Sequence, residues 1–212
     1  EDAMAISCNT TFAYLGTQLE VEELQQVSNS LLFNRSINFP LSTKQSKFVL
    51  NQYSELWEIP QTAIGQGKTE ITPLHNLMIF AAIANKGVMM EPYLLDHIVD
   101  SYGNVVETFQ PKVYKEVLTI EEAEVLSSML RGVVVEGNGR QLRNLGIEVA
   151  GKTGSAEFKA GEAAHAWFVG FGPYEDPEIA VCVLVENVGS SSDYSVPMAK
   201  KIFEAYEKYY KE

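Results

Sequence analysis

The stretch Ile147-Glu148-Val149-Ala150-Gly151-Lys152-Thr153-Gly154-Ser155-Ala156-Glu157-Phe158 decides how the rest of the chain is read. It is extended-strand chemistry interrupted by glycines. Two more runs follow, Ala164–Phe171 and Ile179–Glu186, each reading as a strand and set off by Gly, Pro and acidic turns. Val181, Val183 and Val185 alternate with Cys182, Leu184 and Glu186, which predicts a strand covered on both faces or nearly so. Pro197–Tyr210 closes the chain as an amphipathic helix.

Upstream, the pattern turns helical. Thr119-Ile120-Glu121-Glu122 is a capping-box sequence. The helix it opens presents Val125, Leu126, Met129, Leu130 and Val133 as its apolar face and stops at Gly137-Asn138-Gly139. Tyr93–Phe109 reads as two short strands around a turn at Tyr102-Gly103-Asn104. Thr72–Lys86 is a helix with Thr72 as cap, Pro73 at its first position and Gly87 as its stop. Phe33–Trp57 has no clean period and reads as a surface excursion. Asn9–Gln26 is helical with a break near Gly16. Helices, three consecutive strands on short links and a last helix predict an α+β fold, an antiparallel sheet flanked by helices.

The bulk properties narrow the function classes. The 212 residues are 46% hydrophobic and 21% charged, enough for one sizeable core and too apolar for a disordered chain. A net charge of -12 opposes binding to nucleic-acid phosphates, and Lys200-Lys201 is too small a basic cluster to reverse that. No apolar run has the length of a membrane span. The opening, Glu1-Asp2 followed by Met4 and Ile6 with no cap, reads as the interior of a longer domain. Cys8 and Cys182 read as small buried hydrophobes, and they and the scattered His75, His97 and His165 lack the spacing of a metal site.

Two clusters could carry chemistry. In Lys152-Thr153-Gly154 the lysine offers a positive charge on a strand edge, and the threonine hydroxyl can hydrogen-bond a carboxylate. Gly154 leaves room for a ligand backbone. Together they suit an extended peptide that adds to the strand by its carboxylate end. The plain alternative is a glycine-interrupted edge strand with a solvated lysine, and the tripeptide arises by chance in about 3% of chains this long. The second cluster is Ser7-Cys8-Asn9, a hydroxyl able to pass a proton and an amide able to hold a carbonyl. It reads equally as a helix cap. Ser36-Ile37-Asn38 repeats the pattern and Tyr102-Gly103-Asn104 is a near relative, and the residues alone do not choose among the three.

A resemblance does choose. Lys152-Thr153-Gly154 followed by His165-Ala166-Trp167-Phe168-Val169-Gly170-Phe171 is similar to two consecutive strands of the penicillin-binding transpeptidases. Gly137-Asn138-Gly139 resembles the turn before them. Gly65-Gln66-Gly67, Thr72-Pro73-Leu74 and Ala81–Gly87 resemble the family's middle region, Ala5–Phe12 its Ser-x-Asn site, and Pro197–Phe203 its final helix. The matches run in order along nearly the whole chain. Residues 1–212 are therefore identified as the C-terminal part of one transpeptidase domain, a partial β-lactamase/D,D-transpeptidase-like fold. Ser7 and Asn9 become the family's pair; Ser36–Asn38 and Tyr102–Asn104 become incidental or structural.

The resemblance implies serine acyl transfer on the D-Ala-D-Ala end of peptidoglycan stem peptides, with β-lactam antibiotics as mimics and no cofactor or metal. By it, Ser7 relays protons to the leaving amine, Asn9 orients the substrate amide and Lys152 supplies positive potential. Thr153 and Ser155 hold the carboxylate, Gly154 lets the substrate lie close, and the Ser155 N–H forms half of the oxyanion hole. Ser155 stands where threonine is common but keeps a hydroxyl. His165 and Trp167 read as structural.

The family's nucleophile sits in a Ser-x-x-Lys motif. No serine of this chain has lysine three positions on. The motif belongs roughly fifty to sixty residues before the Ser-x-Asn site, so it is expected outside these residues. Three expectations follow: inactivity of the chain alone, exposed apolar surface that favours a dimer or a complementing segment, and a location outside the cytoplasmic membrane with an anchor upstream. The competing readings are a penicillin sensor or β-lactamase relative, and a catalytically silent cell-wall scaffold.

Overall fold

In the computed structural model, which describes residues 1–210, the helices are α1 (Asp2–Ala5), α2 (Asn9–Gly16), α3 (Val21–Ser30), α4 (Glu58–Ala63), α5 (Pro73–Ala84), α6 (Ile120–Val135) and α7 (Ser195–Tyr210). The strands are β1 (Val88–Met90), β2 (His97–Val99), β3 (Val105–Thr108), β4 (Val113–Glu116), β5 (Ala150–Ala156), β6 (His165–Gly172) and β7 (Ile179–Val185). The central sheet has the order β5-β6-β7, all antiparallel. Short ladders β1-β4 and β2-β3 lie outside it. This is the expected α+β architecture.

Helices cover both faces of the sheet. On one side Phe203, Ala199 and Val196 of α7 pack on Phe168, Val181 and Val149. On the other, Ile83 of α5 and Leu130 of α6 pack on Ala150 and Phe171. β7 is accordingly apolar on both faces, Val181 toward α7 and Ala180 toward α5. The cross-strand pair Gly151↔Gly170 is dictated by space. A Cβ on Gly151 would lie 2.7 Å from Phe168 Cζ, and one on Gly170 2.5 Å from Ala150 O. The missing side chains let the phenylalanine ring fill that layer.

The local signals fold as their chemistry requires. Thr72 Oγ1 accepts from the His75 N–H at 3.2 Å, with Pro73 at the first helical position of α5. Thr119 and Glu122 form the reciprocal capping box of α6, at 3.2 and 2.8 Å. Asn9–Gln26 breaks at Gly16, because α2 packs there on α4. A Cβ on Gly16 would lie 2.3 Å from Ala63 Cβ.

Several expectations are corrected. The second helical piece runs on to Ser30. The first sheet strand is shorter than Ile147–Phe158, because Ile147 and Val149 sink into the core before the ladder begins and Phe158 leaves it to stack on His165. Val125 is exposed; Ala123, Leu130, Val133 and Val134 are buried, and Leu126 packs partly buried against the cluster that holds Leu130. Residues 33–57 are irregular but more than a surface excursion. Leu50 and Ser46 are buried, and the Asn34 side-chain amide bonds both backbone groups of Phe48. Cys8 and Cys182 are both free thiols and only partly buried, not fully enclosed.

Candidate active site

Ser7 sits in the link between α1 and α2 in a left-handed conformation, φ 56°. That conformation is costly for a residue with a side chain and is maintained by its surroundings. Those surroundings begin with Gly137. A Cβ there would fall 2.0 Å from Ala5 O, so only glycine lets the end of α6 lie against α1. The Asn138 N–H then donates to Ala5 O at 3.2 Å, and its side chain reaches Ile6 O and Ser7 Oγ, both at 3.3 Å.

Across from Ser7 stands β5. The Lys152 ammonium donates to Ser7 Oγ and to its neighbour's carbonyl, Thr153 O, at 3.1 Å. Burial lowers the Lys152 pKa to about 8, because the interior solvates an ammonium poorly. The lysine stays largely charged at neutral pH and can release a proton without a large penalty. Ser7 is not a helix cap: Cys8 occupies the cap position of α2 without a capping side chain, and the Ser7 hydroxyl is committed to Lys152 and Asn138.

Between these elements opens a cleft of about 580 Å³. Ser7, Asn9, Lys152, Thr153, Gly154 and Ser155 all line it. The six residues expected from sequence are thus brought together, though Ser7 and Lys152 are some 145 positions apart. Asn9 is exposed at the first position of α2, Ser155 is exposed, and Thr153 shows only 6% of its surface. Ser36–Asn38 is not part of the cleft. Tyr102–Asn104 is the β2-β3 turn, held by Asp100 Oδ1, which accepts from the Tyr102 and Asn104 N–H groups at 2.8 and 2.9 Å. His165 stacks on Phe158 and accepts from the Asn187 N–H, as befits a structural residue, whereas Trp167 lines the cleft.

The backbone of β5 has its own role. It is the outer strand of its sheet, and no strand of the described residues pairs with its other edge. Within an antiparallel ladder a residue's N–H and C=O point to the same side. Gln66 Nε2 donates to Ser155 O at 3.4 Å, and Lys152 to Thr153 O, so both carbonyls face away from β6. The Thr153 and Ser155 N–H groups therefore face the open edge as well. The arrangement suits an extended ligand that pairs with this edge and ends near Lys152.

Two cleft residues escaped the sequence reading. Asn138 lies within a glycine pair that reads as a helix stop, and Gln66 within another glycine pair, with φ of 75° at Gly65 and 80° at Gly67. The available signal was the pattern itself, a polar amide between two glycines that lets the backbone come close.

A family model of the penicillin-binding protein transpeptidase domain matches residues 1–204. The peptidoglycan D,D-transpeptidase PbpA of Mycolicibacterium smegmatis is 30% identical over 194 residues, which is 89% of this chain and 39% of that protein. Stage V sporulation protein D of Bacillus subtilis is 30% identical, over 92% of this chain and 31% of its own. Among solved structures, the D,D-transpeptidase domain of a peptidoglycan glycosyltransferase from Eggerthella lenta superposes with a TM-score of 0.90 at 30% identity, covering 98% of this chain and 52% of that one. Penicillin-binding protein A of M. tuberculosis, solved as a ceftriaxone acyl-enzyme complex, gives 0.85 at 27% identity, covering 94% and 46%. The chain spans about two fifths of the length of the first curated relatives it matches, 39% and 43%.

Proposed function

Because this chain belongs to the penicillin-binding protein transpeptidase family, matched over residues 1–204, we propose that its cleft is the substrate-holding and proton-relaying half of a D,D-transpeptidase centre. The observation that carries this reading is the Lys152–Ser7 contact at the foot of an open strand edge. The substrate is a peptidoglycan stem peptide ending in D-Ala-D-Ala, and β-lactams enter as its mimics. The peptide lies along β5, its carboxylate toward Lys152, Thr153 and Ser155. Gly154 leaves the approach free: a Cβ there would meet only Trp167 Cβ, at 3.4 Å. Asn9 holds the amide of the stem.

The acylating serine is supplied by sequence outside these residues, since no Ser-x-x-Lys occurs among them. Its oxygen bonds to the carbonyl carbon between the two D-alanines, its proton passing to the base that accompanies it, and the C–N bond then breaks. Ser7 gives its hydroxyl proton to the departing nitrogen and takes one from the Lys152 ammonium. D-Alanine leaves as a neutral amine, and the proton taken up by the base returns through water to Lys152; the amine of a neighbouring stem then bonds to the acyl carbon, the ester C–O bond breaks, and the amine's proton passes to the serine oxygen. The Ser155 N–H, on the open edge, stabilises the developing oxyanion. The reaction places the protein on the outer side of the cytoplasmic membrane, where peptidoglycan is cross-linked. No helix among the described residues is long and apolar enough to cross it.

Intact-mass measurement after incubation with a penicillin tests the reading. The chain alone is expected to gain no adduct. A polypeptide that joins it to the Ser-x-x-Lys segment is expected to gain one equivalent. A stoichiometric adduct on the chain alone would place the nucleophile inside these residues, and failure of the joined protein to acylate would end the transpeptidase reading.

A further inference from the structure

The geometry points to Asn138 as the residue that aims the Ser7 proton, a positioning role that rests on the transpeptidase reading of the cleft. A serine hydroxyl has two lone pairs and one hydrogen. In this structure two groups approach Ser7 Oγ: the side-chain nitrogen of Asn138 at 3.3 Å and the ammonium of Lys152. The orientation of the Asn138 amide is fixed independently. Its nitrogen also faces the Ile6 carbonyl at 3.3 Å, and a carbonyl can only accept. Asn138 is therefore a donor to Ser7, and a charged lysine can only donate. With both lone pairs taken, the hydroxyl hydrogen is confined to the one remaining direction on an oxygen that lines the cleft, and on this proposal the leaving nitrogen sits there.

The backbone makes this placement firm. Asn138 is tied to Ala5 through its N–H and held at its α1 contact by the close approach at Gly137. The left-handed turn at Ser7 and the Asn138 amide thus form one unit that presents the serine oxygen with its acceptor sites filled. Without that amide the hydroxyl could rotate and direct its hydrogen away from the substrate, and each such rotamer would be unproductive. The effect belongs to the proton transfer and not to the affinity for the carboxylate, which Lys152 and the β5 edge supply.

The test compares Asn138→Asp and Asn138→Ala with the parent, all in the polypeptide that carries the acylating serine, with fluorescent penicillin kinetics resolved into a binding constant and an acylation rate. Aspartate keeps the size of asparagine and its backbone bond but offers an acceptor where a donor stood. Asn138→Asp is expected to slow acylation by at least about tenfold, more than Asn138→Ala, with the binding constant within about threefold of the parent. Aspartate milder than alanine would overturn the proposal. Because aspartate also turns an oxygen toward the Ile6 carbonyl, which a purely structural role would penalise as well, a cycle decides between the two: on a Ser7→Ala background, Asn138→Ala is expected to change the acylation rate by less than about twofold. An undiminished effect there would overturn the role through Ser7. Absence of acylation in the parent would instead refute the transpeptidase reading, and this inference with it.

Discussion

Replacing Lys152 with methionine is expected to slow β-lactam acylation by about 10²–10³-fold in the polypeptide that carries the acylating serine, the usual cost of removing one preorganised polar group from such a centre. The same substitution should leave the fold intact. Methionine fills a similar volume, and the buried ammonium is itself a burden on stability. The linkage can be signed. The Lys152 pKa falls from 10.5 to about 8 on folding, so between those values the unfolded chain binds more protons than the native one. The lysine therefore makes native stability rise with pH across that window, and below about pH 8 its penalty is fully present. Urea melts of wild type and Lys152→Met from pH 7 to 10.5 check this: the lysine's contribution to the slope should vanish in the variant. Binding of a carboxylate ligand runs the other way and weakens as pH climbs through about 8. Equal acylation rates in the two proteins would remove Lys152 from the mechanism.

Gly137→Ala is expected to damage stability and site together. The new Cβ would meet Ala5 O at 2.0 Å, Ala5 C at 2.6 Å and Val133 O at 2.9 Å, all backbone atoms that cannot rotate aside. Overpacking of this kind costs about 1–3 kcal/mol. Relief requires α1 to move off α6, which carries Ser7 away from Asn138 and Lys152. Thermal melts should show the loss of stability, and acylation should fall further than the loss of folded protein explains. A variant as stable and as reactive as the parent would show that the α1–α6 approach does not hold the serine.

Much of this was legible in the sequence where one residue type admits one local solution. Thr119 with Glu122, and Thr72 with Pro73, could hardly do anything but start helices. The valines of β7 on one face and the apolar residues between them on the other needed cover on both sides, and Val181 and Ala180 receive it from opposite clusters. The cleft was legible differently. Lys152-Thr153-Gly154 and Ser7-Cys8-Asn9 each had an ordinary explanation, and only their collinear company pointed to one site.

What stayed hidden depends on contacts that no period encodes. The end signals of α5 leave its faces unassigned: Met78 and Ala82 pack toward Leu32 and Met89 while Ile83 packs toward the sheet. A helix buried on two sides has no polar stripe to reveal which side is which. Asp100 was invisible as the organiser of the β2-β3 turn because its work is done on backbone N–H groups two and four residues on. Asn138 was hidden by distance in sequence: its partners Ala5, Ile6 and Ser7 come from the opposite end of the chain, and only the packing of α1 on α6 introduces them.

The central claim is that β5 and Ser7 together receive the carboxylate end of an extended peptide. The most direct measurement is an amide-resolved NMR titration of this chain with a peptide ending in two D-alanines, run beside the same peptide with its C-terminus amidated. Perturbations should gather at Lys152–Ala156 and Ser7–Asn9 and disappear with the amidated peptide. Equal responses to acid and amide, or perturbations centred away from the cleft, would contradict it.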